Sequence, residues 1–393
     1  MAGHPRSLML ALGALTAFGP ISLDVYLPSL PQLGAEFGAS EALTQLTMSA
    51  CMIGLALGQL LWGPISDRYG RRMPLILAIS GFALTSVLCA FAPSIEVLIA
   101  IRVVQGLCGA AGMVIARAVV HDLFSGADAV AAFSTLAAVM GVAPVLAPLI
   151  GGAVATFSSW RGVFVALAVI GLLMLAVAAF GVPESLASGE RTRGGIANDF
   201  HGIGAALRNG PFLLAAVTLA VASVPLFTYL QHAPFVLQSQ YGLSAQGFAI
   251  VFAVNAVGIT LAANLNRRLA RRMPGVRIAR WSLAVGAAGA LALVLTAALD
   301  SALPWLLVPL FVALCTQGVN NPSLTGMALG HVRHAAGSAS AVLGTLSMLL
   351  GALVPPAVAL IGVSATVLGA TMLVAFALAL ALALVGRHPA ASG

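Results

Sequence analysis

The feature that most constrains this chain is a succession of apolar runs, separated by short connections that hold most of the charges. Each run comes close to the roughly 20 residues an α-helix needs to cross a hydrocarbon core. Hydrophobic residues make up 60% of the 393 and charged residues only 7%, where an ordinary soluble domain carries roughly 25% charge. A soluble globular enzyme is excluded. Apolar length places spans from Leu8 to Leu30, Leu43 to Trp62, Pro74 to Ala92, Val97 to Val119, Ala131 to Phe157 and Val163 to Val182. Six more run from Phe212 to Leu237, Phe248 to Leu269, Ile278 to Ala298, Leu303 to Leu324, Gly337 to Val363 and Ala365 to Leu384. The first run is too long for a signal segment and leads straight into the second, so it reads as a retained helix.

The polar break from Pro183 to Asn209 holds Glu184, Glu190, Arg191, Arg193, Asp199, His201 and Arg208 with several glycines, which suits a solvated connection between two bundles. Arg71-Arg72-Met73-Pro74 recurs as Arg271-Arg272-Met273-Pro274, each copy between the second and third spans of its half. That register predicts two six-helix bundles related by duplication. The expected organisation is a bundle over residues 1–182, a cytoplasmic linker over 183–210 and a second bundle over 211–393.

Loop charge sets the orientation. With the N-terminus inside, the inner connections hold Arg68, Arg71, Arg72, Arg191, Arg193, Arg208, Arg267, Arg268, Arg271, Arg272, Arg277, Arg280 and Arg333, with Arg6 and Arg387 in the tails. The outer connections hold Glu36, Glu41, Glu96 and Asp300, with Arg161 as their one cation. Both termini are therefore expected in the cytoplasm. The net charge of +7 carries no sign of a nucleic-acid partner, because the charges sit in loops between apolar runs and not interleaved on one solvated face. Cys51, Cys89, Cys108 and Cys315 all lie within apolar runs and read as small hydrophobes.

Asp24 stands several residues inside the first span, in Phe18-Gly19-Pro20-Ile21-Ser22-Leu23-Asp24-Val25-Tyr26-Leu27-Pro28. An ionisable group at membrane depth is a functional-site hypothesis by default; the plainer alternative is an interfacial Asp solvated by the Pro28 to Pro31 exit. Arg102 is the matching cation, and Gln105, Gly106 and Gly109 share its helix face at i+3, i+4 and i+7. That stripe is expected to face protein; the alternative is an arginine snorkelling to the interface. Desolvation raises and a nearby cation lowers the proton affinity of a carboxylate, so such a pair can load and release a proton.

Gly63-Pro64-Ile65-Ser66-Asp67-Arg68-Tyr69-Gly70-Arg71-Arg72 follows the second span, where Asp67 can accept from helix N-termini and from Arg across the bundle. It reads as a cytoplasmic gate or, more plainly, as a topology-setting basic loop. The second copy has Arg267 where Asp67 stands and Ala270 where Gly70 stands, so it keeps only the basic role. Gly141, Pro144, Pro148, Gly151 and Gly152 on the fifth span predict a kinked helix packed closely on a neighbour.

These runs resemble the major facilitator superfamily over essentially the whole chain, in particular the twelve-span drug:H+ antiporters of the bicyclomycin and chloramphenicol resistance type. Gly63, Asp67, Arg68, Gly70, Arg71 and Arg72 match the family pattern G-x-x-x-D-R-x-G-R-R. Arg102-Val103-Val104-Gln105-Gly106 is similar to the fourth-helix proton-relay motif, and Asp24-Val25-Tyr26-Leu27-Pro28 to the first-helix motif of this exporter group. Cys108 departs from a usual glycine, and Ala147 precedes Pro148 where Gly-Pro is usual. The resemblance implies an all-α, N-in/C-in fold of twelve helices in two pseudo-symmetric bundles, with Asp24 as proton and substrate site and Arg102 as its partner. It further implies a monomer in the bacterial inner membrane that uses the proton gradient, needs no cofactor or metal, and exports a small amphipathic compound such as a phenicol or bicyclomycin.

The substrate cavity is expected between the halves, near the midplane. By placement, Tyr26, Met113, Phe227, Tyr229, Phe252, Asn255, Gln317, Asn320 and Asn321 line it or pack beside it, together with Asp24 and Arg102. The competing readings are a proton-coupled importer in the same fold, an intramembrane enzyme and a passive channel. The enzyme lacks His-x-x-x-His, Cys-x-x-Cys or an intramembrane acid pair, and His232 stands alone.

Overall fold

The computed structural model describes residues 6–187, 189, 191, 204, 207–332 and 336–385. Glu190, Arg193, Asp199 and His201 of the expected linker, with Arg333 and Arg387, lie outside the described residues. Among the described residues, twelve helices are long and apolar enough to cross a membrane. The first six are Ser7–Phe37, Glu41–Tyr69, Arg72–Ala90, Ile95–Leu123, Gly126–Phe157 and Trp160–Gly181. The other six are Gly210–Gln240, Ala245–Leu269, Gly275–Ala298, Leu303–Gly330, Ala339–Ala359 and Ala365–Val385.

Several helices start or end beyond their apolar runs, because polar caps fix helix ends. The Leu43 amide donates to the Ser40 hydroxyl, that of Val97 to Ser94 and that of Phe212 to the Asn209 side chain. The first span is interrupted: a helix over Arg6–Asp24 gives way to a 3₁₀ turn at Leu27–Ser29 and a second helix at Leu30–Phe37. Pro28 has no N–H to offer the Asp24 carbonyl, and Pro31 none for that of Leu27, so the ladder breaks directly after the acid.

The chain divides into two compact units, one of residues 1–196 with 245–253 and one of 197–244 with 254–393. In the first, the second and fourth spans touch backbone to backbone. A Cβ on Gly106 would overlap the Cys51 carbonyl, and one on Gly54 the Val103 carbonyl; the indole of Trp62 donates to the Leu107 carbonyl at 2.7 Å. The first span lies on the fourth and fifth, and the third on the fourth and sixth. Cys108, the departure from glycine, fits because its Sγ stands 2.8 Å from where Gly81 of the third span would carry a Cβ.

In the second unit the ninth span packs on the tenth and twelfth, and the seventh on the eleventh, twelfth and second part of the tenth. The tenth consists of two helices, Leu303–Cys315 and Gln317–Gly330, joined at Thr316. Gly318 there meets the Ile259 carbonyl of the eighth span much as Gly106 meets Cys51. A Gln-Gly pair, 105–106 and 317–318, thus marks the same close approach in each half. On the eleventh span Pro355 leaves the Gly351 carbonyl without its helical donor. Gln231 Nε2 supplies one at 2.7 Å, and His232, fully buried, sets its Nε2 3.1 Å from the Pro355 carbonyl. The histidine that stands alone in the sequence is part of this brace.

Candidate functional site

Asp24 closes the first helix of the first span, well inside Ser7–Phe37, and is 7% exposed. Among the described residues its carboxylate makes no hydrogen bond and no ion pair. Burying an ionised carboxylate without a partner costs several kcal/mol, so its charge must be met by a proton or by a cationic ligand. Gly151 of the fifth span fixes the neighbouring backbone, since any Cβ there would overlap the Val25 carbonyl. Of the fifth-span residues read as a packing motif, Pro148, Gly151 and Gly152 are buried, while Gly141 and Pro144 are partly exposed.

Arg102 is fully buried and does not snorkel. Its Nε donates to the Thr47 carbonyl at 3.2 Å and its Nη1 to Gln105 Oε1 at 2.8 Å. Gln105 Nε2 passes the chain to Ser86 Oγ at 2.7 Å. The guanidinium stands 4.8 Å from the Tyr26 ring centroid and 5.6 Å from that of Phe164, a cation held by two π faces. Thr47 spends its hydroxyl proton on the Thr44 carbonyl at 2.6 Å, so Tyr26 donates in the 2.8 Å contact between the two hydroxyls. Among the described residues Arg102 Nη2 has no hydrogen-bond partner. The expected Asp24–Arg102 pair is not formed: the guanidinium is held by Thr47, Gln105 and the aromatic rings instead. Sequence placement missed Thr47, Ser86 and Phe164, and also Gln45, whose amide is fully buried with both polar atoms unpartnered.

Of the residues read as a gate, Asp67 and Gly70 lie against Arg71. Its Nη1 pairs with Asp67 and also donates to Ser66 Oγ at 2.9 Å, and its Nε donates to Asp122 Oδ2 at 2.9 Å. Burial works against this charge, and the carboxylates of Asp122 and Asp67 outweigh it, so the guanidinium holds its proton more tightly than in water. Asp67 therefore binds an arginine four positions along; the reach across the bundle is made by Asp122, whose sequence context gave no sign of the role. Gly70 adopts φ +91°, and a Cβ there would overlap Glu184 Oε2, whose carboxylate accepts from the Arg71 amide at 2.8 Å. Arg68 and Arg72 are exposed, and a Cβ on Gly63 would meet nothing within 4 Å. Breaking a buried pair costs roughly 3–5 kcal/mol, and Asp67, 42% exposed, keeps this one toward the low end. Arg71→Ala is expected to lower the melting temperature of the detergent-solubilised protein by several degrees, with Arg68→Ala leaving it in place; equal effects in a thermal-shift series would contradict the assignment.

Met113 is buried on the fourth span, and Phe252 is buried with its ring 6.1 Å from Phe248. In the second unit Asn255 Nδ2 donates to Tyr229 Oη at 2.9 Å. Gln317 and Asn320 are buried on the tenth span, with Gln317 Nε2 and Asn320 Oδ1 unpartnered. Phe227 is half-buried, whereas Asn321 is exposed, a helical step round from Asn320.

A sequence profile described as the Major Facilitator Superfamily matches residues 10–356. The chain is 35% identical over 370 residues to the uncharacterized MFS-type transporter YdgK of Bacillus subtilis, covering 94% of this chain and 92% of that one. It is 29% identical to the bicyclomycin resistance protein homolog of Haemophilus influenzae, over 89% and 88% of the two chains. Its fold is similar to the crystal structure of the nucleoside transporter NupG, with TM-score 0.77 at 14% identity over 96% and 98% of the two chains.

Proposed function

The chain belongs to the major facilitator superfamily, and from that premise we propose that it is a proton-coupled exporter of small amphipathic, neutral or monocationic compounds, working by alternating access. It is a multi-pass membrane transporter and not an enzyme; the direction, the proton and the compound are the proposal. The observation that carries it is Asp24, buried in the break of the first span without a counter-charge. Such a carboxylate alternates between a proton and a cation or polar ligand, which is how exchange is coupled. Arg102 Nη2, buried and unpartnered, is the donor available to the substrate or to Asp24 when the helices move. The resistance protein homolog lends support to a drug as cargo and efflux as the direction.

Asp24 is the one carboxylate far from both ends of its span among the described residues, so one proton per cycle is the simplest coupling. Exchange with a neutral compound is then electrogenic and exchange with a monocation electroneutral. A dication has to leave against the membrane potential, about 2.3 kcal/mol per charge per 100 mV. In proteoliposomes with an imposed potential, monocationic phenicol-sized analogues are expected to be exchanged and matched dications to be poor substrates. Efficient dication efflux at one proton per cycle would contradict the scheme, and proton-driven uptake in intact cells would make the protein an importer.

A further inference from the structure

The two copies of the Arg-Arg-Met-Pro loop have opposite electrostatic fates. In the first, Arg71 is paired with Asp67 and Asp122, and Glu184 accepts from the Arg71 and Arg72 amides. In the second, between residues 201 and 393, the sequence has a single acid, Asp300, beyond the opposite end of the ninth span. Among the described residues Arg267, Arg268, Arg271, Arg272 and Arg277 are all exposed, and none pairs with a carboxylate. Among the described residues they are left open to an anion from outside the chain.

The surface beside them has the shape for it. Pro274, Val276, Arg277, Arg280 and Trp281 line a pocket of about 310 Å³ at the start of the ninth span. Arg280 is fixed there, its Nε and Nη2 both donating to the Ala383 carbonyl at 3.0 and 2.8 Å. That carbonyl is in the last described turn of the twelfth span, so the arginine's position follows from the packing of the ninth span on the twelfth, with Nη1 free of this bond. Trp281, 66% exposed, also borders a second, apolar groove of about 420 Å³ that runs past Val285, Phe311, Val312 and Cys315 among the eighth, ninth and tenth spans. A cationic pocket thus joins an oily groove through an exposed indole, the side chain favoured at the membrane–water boundary.

We propose that this face of the second unit binds one anionic phospholipid, its phosphate between Arg277 and Arg280 and an acyl chain along the Val285–Val312 groove. Basic pockets among membrane helices recognise acidic headgroups in this way, and a zwitterionic lipid offers less net charge to the unpaired arginines. The site lies directly after the second Arg-Arg-Met-Pro copy, where the first copy carries the Arg71 cluster.

The test is native mass spectrometry of the purified full chain titrated with phosphatidylglycerol and, separately, phosphatidylcholine. The expected result is a first phosphatidylglycerol retained more tightly than phosphatidylcholine. Arg277→Gln should weaken it roughly fivefold, about what one cation contributes near an anionic surface. Arg267→Gln, the same change of charge outside the pocket, should leave it unaltered, and Val312→Trp, which fills the groove without touching charge, should reduce it. Equal retention of the two lipids, equal losses for the two arginine variants, or full retention in Val312→Trp would each overturn the proposal; normal size-exclusion profiles establish that the variants are folded.

Discussion

Asp24→Asn is expected to abolish resistance to every exported compound in an efflux-deficient host while leaving the protein in the membrane at its normal level. The side chains are nearly isosteric, and among the described residues the carboxylate makes no hydrogen bond or ion pair that the amide would forfeit. Folding therefore has little reason to change. On the proposed coupling, transport loses the carboxyl that is emptied of a proton and refilled within a cycle. The expected readings are minimum inhibitory concentrations equal to the empty-vector control and no substrate release on acidifying the outside of loaded vesicles. Asp24→Glu keeps a titratable carboxyl but displaces it by one methylene, so partial activity is expected there. Undiminished pH-driven efflux by the asparagine variant would end the proposal.

The second large effect concerns two glycines that look alike in the sequence. Gly106→Ala is expected to deplete the protein from the membrane severalfold, and Gly109→Ala to be tolerated. A methyl on Gly106 would overlap the Cys51 carbonyl, and a backbone cannot step aside as a side chain can. At Gly109 the nearest atom to a new Cβ is Phe82 Cδ2 at 3.5 Å, ordinary contact distance. Overpacking costs about 1–3 kcal/mol and more where nothing can yield, a large share of a marginal stability. Immunoblots of membranes and a thermal-shift assay separate the two; equal accumulation of both variants would show that the second and fourth spans are not locked at this point.

The spans were legible because the hydrocarbon thickness writes itself into apolar length, and the repeated Arg-Arg-Met-Pro showed the duplication. Asp24, Arg102 and Asp67 were legible because a charge in or beside an apolar helix is conspicuous. What escaped were the partners. Asp122 near the end of the fourth span looks like any interfacial acid, and Thr47 contributes a carbonyl, which carries no residue signature. Phe164 and Gln45 are indistinguishable in one sequence from packing residues, since helix rotation decides whether they face Arg102, lipid or nothing polar. The Asp24–Arg102 pair was inferred from opposite charges and from the resemblance of their two motifs; competition from Thr47, Gln105 and two aromatic rings for the guanidinium is a tertiary property.

The interlocked glycines of the second and fourth spans have a mechanical corollary. Arg102 and Asp122 lie 20 residues apart on one unbroken helix, about 30 Å at 1.5 Å per residue, and Asp67 rides on the helix fused to it. Tilting at either end is thus transmitted to the other as by a stiff lever, so the grip on the guanidinium and the latch around Arg71 share a single displacement without any relay of side chains between them.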